Sequence, residues 1–179
     1  MADKVTLQDK TFKVMIPAQE IQNEIGRVAL QLNERYQGKT PVFLGVLSGS
    51  FLFLADLVRK TDFDSRLAFV KLSSYEGTQS TGEVKQHLGV DFDIEGQDII
   101  IVEDIVETGH SMNHLLQYLK EKNPASIAIC TLFYKPEKFL YDFPIDYKVF
   151  TIGNEFIVGY GLDYNQLGRN LSDIYVIDE

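Results

Sequence analysis

One stretch of the sequence, Ile99-Ile100-Ile101-Val102-Glu103-Asp104-Ile105-Val106-Glu107-Thr108-Gly109-His110-Ser111, indicates the fold most clearly. Its first four residues form a β-branched apolar run, which is typical of a strand that is buried on both faces. Glu103 to His110 is predicted to be a polar turn. Apolar residues then recur at helical spacing, at Met112, Leu115, Leu116 and Leu119. The stretch therefore predicts a strand, a turn and a helix in that order.

The same order occurs earlier in the chain. Pro41 to Leu47 is a short apolar run, Ser48-Gly49-Ser50 follows it, and a helical pattern begins at Phe51. Further segments fit the arrangement, namely a helix from Ala18 to Gln37 and strands over Leu67 to Leu72 and Ala125 to Tyr134. Apolar strands that alternate with helices predict an α/β protein with an open, mostly parallel twisted sheet flanked by helices. From Tyr147 onward we expect only short extended pieces and turns, as in an accessory flap.

Composition favours one globular unit. The chain has 179 residues, of which 45% are hydrophobic and 24% charged, and this fits a single domain over residues 1–179. Its net charge of -9 argues against a general nucleic-acid or anionic-membrane binder. No apolar stretch approaches the ~20 residues of a membrane span, and the first residues lack the apolar core of a signal peptide, so we expect a cytoplasmic protein. The single cysteine, Cys130, lies in an apolar run and is predicted to be a buried, inert thiol.

Two polar turns are predicted to lie at the carboxyl ends of the strands, where open α/β sheets bind ligands. They are Leu47-Ser48-Gly49-Ser50 and Glu103 to Ser111. The helix N-terminus in the second turn offers backbone N–H donors and the positive end of a helix dipole, which suits a phosphate. The acidic pair Glu103 and Asp104 suits ribose hydroxyls or a hydrated metal ion instead. From its residues alone, this turn is either a sugar-phosphate site or a helix cap preceded by solvated acidic side chains.

The segment from Val102 to Ser111 resembles the phosphoribosyl-diphosphate motif of the type I phosphoribosyltransferases. Resemblance to this family, and to its purine-salvage members in particular, runs from about Val42 to the C-terminus. It is carried, in order, by Leu47-Ser48-Gly49-Ser50, Ser74-Tyr75, Gln79-Ser80-Thr81-Gly82, Lys135, Phe156 to Asn165 and Arg169. The resemblance implies the type I phosphoribosyltransferase fold with a small hood subdomain. The C-terminal segment would form this hood, and the N-terminal segment is a further candidate.

The resemblance also implies a reaction and its cofactor. A 6-oxopurine base, hypoxanthine or guanine, would react with 5-phosphoribosyl 1-diphosphate and Mg²⁺ to give a nucleoside monophosphate and pyrophosphate. Glu103 and Asp104 would hold the ribose hydroxyls and, with Asp163, the magnesium ion. The 5′-phosphate would be held by Thr108, Gly109, His110 and Ser111. The family further suggests a homodimer or homotetramer.

The remaining implied roles concern the leaving group, the lid and the base. Pyrophosphate would be bound by Leu47, Ser48 and Gly49 together with Arg169. Ser74 and Tyr75 would belong to a mobile loop that closes over the site. The purine would be bound by Lys135 at its O6, by Phe156 through stacking and by the backbone of Ile157. Glu107 would accept the proton from the purine ring nitrogen.

Two residues depart from the family pattern, and two other functions stay open. The family usually has Asp where this chain has Glu107, and it often has Lys or Arg at the position of Ser48. A longer acidic arm matters because a displacement near 1 Å can cost on the order of a hundredfold in rate. One alternative is a phosphoribosyltransferase for another base, such as xanthine or adenine. The other is a non-catalytic, nucleotide-responsive regulator on the same fold that binds RNA or DNA.

Taken without the family, three assignments have plainer readings. Lys135 would be a solvated residue at a strand end, and Phe156 would be part of the core. Asp163 and Arg169 would form an ordinary surface ion pair.

Overall fold

The computed structural model describes residues 4–73, 85–88 and 93–178. In chain order its strands and helices are β1 (Lys4–Leu7), β2 (Lys10–Ile16), α1 (Ala18–Tyr36), β3 (Val42–Leu47), α2 (Phe51–Val58), β4 (Arg66–Ser73), β5 (Lys85–Leu88), β6 (Asp98–Val106), α3 (His110–Lys120), β7 (Ser126–Tyr134), β8 (Tyr147–Thr151), β9 (Ile157–Val158) and β10 (Ile174–Ile177). A short 3₁₀ turn over Pro136–Lys138 follows β7.

Six strands form the main sheet, in the order β5-β4-β3-β6-β7-β8. Strands β4, β3, β6, β7 and β8 are parallel to one another, and β5 is antiparallel to β4 at the edge of the sheet. The predicted open, mostly parallel α/β sheet is therefore confirmed. The expectation for residues after Tyr147 was wrong in one respect, because β8 pairs with β7 and extends the main sheet.

The second sheet joins the two ends of the chain. Its four antiparallel strands lie in the order β1-β2-β10-β9, and we call it the hood sheet. Phe12, Val158 and Tyr175 form its buried centre. Because β9 immediately follows Phe156, this sheet determines where that aromatic residue lies.

Strand β6 is the middle of the core. Ile100 and Val102 pack on the side of α1 and α2, whereas Ile99 and Ile101 pack on the side of α3. A run of β-branched residues satisfies both layers at once, as a strand buried on both faces requires. Cys130 on β7 is also completely buried, which confirms the predicted core position, and burial raises the pKa of its thiol.

Strand β6 is longer than predicted. It continues through Val106, so Glu103 and Asp104 lie on the strand and not in the turn. The ladder to β7 explains this length, because Glu103 pairs with Thr131 and Val106 with Tyr134. The backbone hydrogen bonds of this partner strand thus outweigh the polar character of the two acidic residues.

None of the helices in the described ranges is long and apolar enough to cross a membrane.

Helix α1 is capped by a residue that is distant in sequence. Pro17 occupies the N-cap position and has no side-chain capping bond. The backbone N–H of Ala18 instead donates to Oδ1 of Asp173 at 2.7 Å. Asp173 is buried, and its Oδ2 accepts a 3.3 Å hydrogen bond from the Tyr175 hydroxyl. One carboxylate therefore links the first turn of α1 to the hood sheet.

Asp173→Ala is expected to lower the free energy of unfolding by about 1–2 kcal/mol, because it removes the cap and leaves a helix N–H without its acceptor. Asp173→Asn keeps an acceptor oxygen and should lose less. Urea unfolding curves measure both, with Asp64→Ala, at an exposed aspartate, as the control. Equal midpoints for Asp173→Ala and Asp64→Ala would contradict the capping role.

Candidate active site

The two predicted polar turns emerge side by side. Strands β3 and β6 are parallel neighbours in the sheet, so the turns that follow them lie at the same edge. Gly49 marks their closest approach. A Cβ atom at Gly49 would overlap the carboxylate of Asp104, and a Cβ atom at Gly161 would overlap the carbonyl oxygen of Gly49. Three segments of the chain therefore meet where only glycine fits. The Leu47–Ser48 peptide bond in this turn is cis.

Glu103 and Asp104 form an acidic pair beneath these turns, in which Glu103 is buried and Asp104 is half-buried. The Glu103 residue is 9% exposed, and its Oε1 accepts a 3.1 Å hydrogen bond from the backbone N–H of Asp104. The N–H of Ile105 donates to Oδ1 of Asp104 at 2.9 Å. Burial raises the pKa of Glu103 well above its ordinary value, and the charge of Asp104 adds to the rise. Burial likewise raises the pKa of Asp104, against opposing hydrogen bonds and the charge of Arg169. A cation or a set of hydroxyl donors here would stabilise both carboxylates.

The turn after β6 is shaped as an anion cradle. Gly109 is the N-cap of α3 with φ of 84°, and the first turn of that helix holds no acidic residue. A cavity of about 150 Å³ lies against this turn, and it is lined by Glu103, Ile105, Val106, Glu107, Thr108, Gly109, His110, Ser111 and Met112. The four residues predicted to hold a 5′-phosphate thus line one cavity. Helix N-termini attract anions through their N–H groups and dipole.

Aromatic side chains support this cradle from outside. The Nδ1 atom of His110 is hydrogen-bonded to the Tyr141 hydroxyl at 2.7 Å. The backbone N–H of Leu140 donates to the carbonyl of Thr108 at 3.1 Å. A Cβ atom at Gly109 would crowd the rings of Phe139 and Tyr141. The sequence reasoning did not identify these supporting residues, because they follow β7 and not β6.

Lys135 and Glu107 form an ion pair at the ends of β7 and β6. Lys135 Nζ lies 2.6 Å from Glu107 Oε1 and donates to the carbonyl of Glu155 at 2.9 Å. The Lys135 residue is only 3% exposed, so the reading as a solvated strand end does not hold. The backbone positions the pair, since the N–H of Lys135 donates to the carbonyl of Val106 at 3.0 Å.

A second lysine, which sequence reasoning missed, also contacts Glu107. Lys138 Nζ lies 3.2 Å from Oε2 of that carboxylate. Partial burial acts to raise the pKa of Glu107, but the hydrogen bonds and charges of Lys135 and Lys138 outweigh it and hold this pKa below its ordinary value. The only sequence signal was the spacing of two lysines, three residues apart around a proline.

Phe156 follows Glu155, whose carbonyl accepts a hydrogen bond from Lys135, and it is not a core residue. It is 48% exposed, and its ring contacts Phe12 and Tyr164 with centroid separations of 6.4 and 5.9 Å. A cavity of about 440 Å³ borders Phe156 and the two residues before it. Ile157, the next residue, is buried and pairs with Val176 on β10. An exposed aromatic side chain thus lies immediately before β9, one residue after the Glu155 carbonyl that Lys135 contacts.

Arg169 connects Asp163 to the meeting point at Gly49. Its Nη2 lies 2.5 Å from Oδ1 of Asp163, and its Nη1 donates to the carbonyl of Gly161 at 2.8 Å. The other oxygen of Asp163 accepts a 2.8 Å hydrogen bond from the N–H of Gln166. Within residues 4–73, 85–88 and 93–178, no three acidic, histidine or cysteine side chains are grouped so as to hold a metal ion by themselves. Asp163 therefore does not form one cluster with Glu103 and Asp104.

The predicted lid residues Ser74 and Tyr75 lie outside the described residues. Ser48 follows β3 in the same turn as Gly49, so the two departures from the family pattern, Ser48 and Glu107, lie at the same edge of the sheet.

Comparison with known proteins agrees with this geometry. Residues 17–165 match the family model described as the phosphoribosyl transferase domain. The hypoxanthine-guanine phosphoribosyltransferase of Streptococcus pneumoniae is 40% identical over 174 residues, which are 97% of each chain. The hypoxanthine phosphoribosyltransferase of Escherichia coli is 39% identical over 175 residues, covering 94% of this chain and 98% of that one.

Solved structures show the same likeness in three dimensions. The crystal structure of a hypoxanthine-guanine phosphoribosyltransferase from Bacillus anthracis superposes with a TM-score of 0.88 at 36% sequence identity. The match covers 93% of this chain and 98% of that one. The sequence and the fold thus agree, and this chain belongs to the phosphoribosyl transferase family.

Proposed function

We propose that this protein transfers the 5-phosphoribosyl group from 5-phosphoribosyl 1-diphosphate to hypoxanthine, and also to guanine, in purine salvage. The products are IMP or GMP and pyrophosphate. The observation that carries the proposal is the buried Lys135 ammonium, which is paired with the Glu107 carboxylate and bonded to the carbonyl of Glu155, the residue before the exposed Phe156. These groups offer a donor for the purine O6, an acceptor for a ring N–H and a stacking face. Relatives that carry the names hypoxanthine-guanine and hypoxanthine phosphoribosyltransferase support it.

Lys135 can donate a hydrogen bond to the purine while it keeps its hydrogen bonds to Glu107 and Glu155. An ammonium group has three N–H donors and no acceptor. Glu107 and Glu155 take two of them in the described structure, which leaves one for a ligand oxygen. The 6-oxo group of hypoxanthine or guanine is such an oxygen, whereas the 6-amino group of adenine is not.

The phosphoribosyl group would lie along β6 and the start of α3. The 5′-phosphate fits the cradle formed by Thr108, Gly109, His110 and Ser111. Glu103 and Asp104 would accept hydrogen bonds from the ribose hydroxyls. The pyrophosphate would lie against Leu47, Ser48 and Gly49, within reach of the guanidinium of Arg169.

The donor set also fits Mg²⁺. This ion binds through one or two carboxylates together with substrate phosphates, so it does not need a cage of protein ligands. The pKa values of Glu103 and Asp104 are both raised, and a divalent cation would stabilise the charged forms of these carboxylates. Asp163, already oriented by Arg169 and Gln166, would be a further carboxylate ligand. When bound, the ion neutralises charge on the diphosphate leaving group.

The residues account for the charges that develop in the reaction. Breaking the bond from C1′ to pyrophosphate leaves positive charge on the sugar and negative charge on the leaving group. Arg169 can stabilise the departing pyrophosphate. The purine nitrogen forms the new bond to C1′, and Glu107 accepts the proton that the base releases. The predicted lid, Ser74 and Tyr75, would exclude water from the sugar cation.

Two accompanying features belong to the same proposal. We expect the enzyme to act in the cytoplasm as a homodimer or homotetramer. Leu67 and Phe69 are exposed on one face of β4 while Ala68 and Val70 are buried on the other, and this exposed apolar face supports self-association.

Steady-state rates with hypoxanthine, guanine, xanthine and adenine, each with 5-phosphoribosyl 1-diphosphate and Mg²⁺, test the proposed function. We expect turnover of hypoxanthine and guanine. Turnover of xanthine alone or adenine alone would favour the enzyme for another base. No turnover of any base, with tight nucleotide or nucleic-acid binding, would favour the regulator.

Removal of divalent cations is expected to abolish turnover, because the acidic pair and the diphosphate need a counter-charge. Initial rates in excess chelator, then after addition of Mg²⁺, measure the effect. Full activity in chelator would contradict the role assigned to Glu103, Asp104 and Asp163.

Glu107→Gln is expected to lower kcat by ~10²–10⁴, the usual contribution of general-base catalysis, because an amide accepts no proton. Binding of 5-phosphoribosyl 1-diphosphate should change little, since the cradle and the acidic pair remain. Rapid-quench turnover and equilibrium binding separate the two effects. An unchanged kcat across the pH range would assign the proton to another group.

Lys135→Ala is expected to reduce kcat/KM for hypoxanthine and to narrow its advantage over adenine. A site built around a hydrogen bond can reject the mismatched analogue by ~10⁴ or more. Stacking on Phe156 cannot discriminate in this way, because every purine has a similar ring face. The ratio of kcat/KM for the two bases in both proteins is the measurement. A wild-type ratio near one would overturn the assignment of Lys135.

A further inference from the structure

Glu107 is held at both of its carboxylate oxygens, and only one of these contacts belongs to a residue with an assigned role. Oε1 receives Lys135 Nζ at 2.6 Å, and Oε2 receives Lys138 Nζ at 3.2 Å. In the proposed function Lys135 also binds the purine O6. The Lys138 side chain is 39% exposed and has no assigned contact with the base, so its role requires a separate explanation.

The backbone fixes Lys138 relative to Lys135. Lys135 is the N-cap of the 3₁₀ turn over Pro136–Lys138, and the N–H of Lys138 donates to the carbonyl of Lys135 at 3.2 Å. Pro136 restricts the first position of this turn, because its ring fixes φ. The N–H of Lys135 is itself hydrogen-bonded to the carbonyl of Val106. The backbone therefore positions both lysines relative to the end of β6.

We propose that Lys138 is a positioning residue for the reaction, which holds the longer side chain of Glu107 in place while Lys135 binds the base. The inference rests on the proposed function for Glu107 and Lys135. A glutamate has one more rotatable bond than the aspartate that the family usually has here. A second cation on Oε2 restricts that bond and directs Oε1 toward Lys135 and the base.

The two lysines also have different roles, because Lys135 binds the base and, among the described residues, the ammonium of Lys138 binds only Glu107. When a purine binds, its O6 becomes a third acceptor for the ammonium of Lys135, beside Glu107 and the carbonyl of Glu155. Glu107 keeps one charge-assisted hydrogen bond, to Lys138, whatever Lys135 does. The carboxylate therefore stays oriented and ionised at the moment when it must accept a proton.

Lys138→Met tests the proposal, with Lys138→Arg as the conservative rescue and Lys60→Met, at an exposed lysine shortly after α2, as the control. We expect Lys138→Met to lower kcat for hypoxanthine about 2- to 5-fold, the effect that a partly exposed ion pair supports. KM for 5-phosphoribosyl 1-diphosphate should stay unchanged. Loss of the cation raises the pKa of Glu107, so the acid limb of the kcat/KM profile should move to higher pH. Lys138→Arg should restore both.

A double-mutant cycle separates positioning from a merely structural contribution. If Lys138 acts through Glu107, Lys138→Met should have no further effect on kcat in the Glu107→Gln background. Equal rate losses in both backgrounds, or an unchanged rate and pH profile in Lys138→Met, would overturn the proposal.

One measurement does not depend on turnover. Carboxyl ¹³C NMR can follow the titration of Glu107 in the wild type, Lys138→Met and Lys60→Met. A rise of the Glu107 pKa in Lys138→Met alone supports the contact, and no rise refutes it. If the wild type fails to use hypoxanthine while this rise is seen, the proposed function fails and the contact between Lys138 and Glu107 stands.

Discussion

The register of β6 against its two neighbours is the constraint on which the site depends. Pairing with β3 brings the turn at Gly49 beside Asp104, and pairing with β7 brings Lys135 beside Glu107. The hydrogen bond from the N–H of Lys135 to Val106 continues this register one step past the strand end. Because side chains alternate along a strand, a shift of β6 by one residue would turn the side chains of Glu103 and Asp104 each to the opposite face of the sheet. The ladders to β3 and β7 on its two sides, and the close contact of Asp104 with Gly49, hold β6 in this register.

Charge burial explains why these groups occur as pairs. A buried ammonium or carboxylate is costly unless it is paired and hydrogen-bonded. Lys135 meets this condition through Glu107 and Glu155, and its near-complete burial is therefore stable without a ligand. Within the described residues, Glu103 and Asp104 lack such a cationic partner of their own, because each carboxylate lies next to the other, and burial raises the pKa of both. In the proposed function, the first pair binds the base, and the phosphoribosyl group and a cation complete the second pair.

The spacing of apolar residues predicted the helices and strands whose formation depends on neighbouring residues in the chain. The helix from Ala18 and the strands at Val42 and Ile99 follow from apolar spacing, and each lies where it was expected. The continuation of β6 to Val106 was missed, because pairing with β7 overrides the polar residues. The cap of α1 by Asp173 and the contact of Lys138 with Glu107 join residues 155 and 31 positions apart, respectively, and no periodic pattern carries such information. The family resemblance supplied the roles of Lys135 and Phe156, for which the residues alone favoured plainer readings.

The central claim is that this sheet edge recognises a 6-oxopurine nucleotide through the ammonium of Lys135. Calorimetric titration of the wild type with IMP and with AMP tests it most directly, because the two nucleotides share the ribose and 5′-phosphate and differ only at positions 1 and 6 of the purine. The account predicts that IMP binds at least about tenfold more tightly than AMP, since AMP offers Lys135 no acceptor at that position. Equal dissociation constants for the two nucleotides would contradict it.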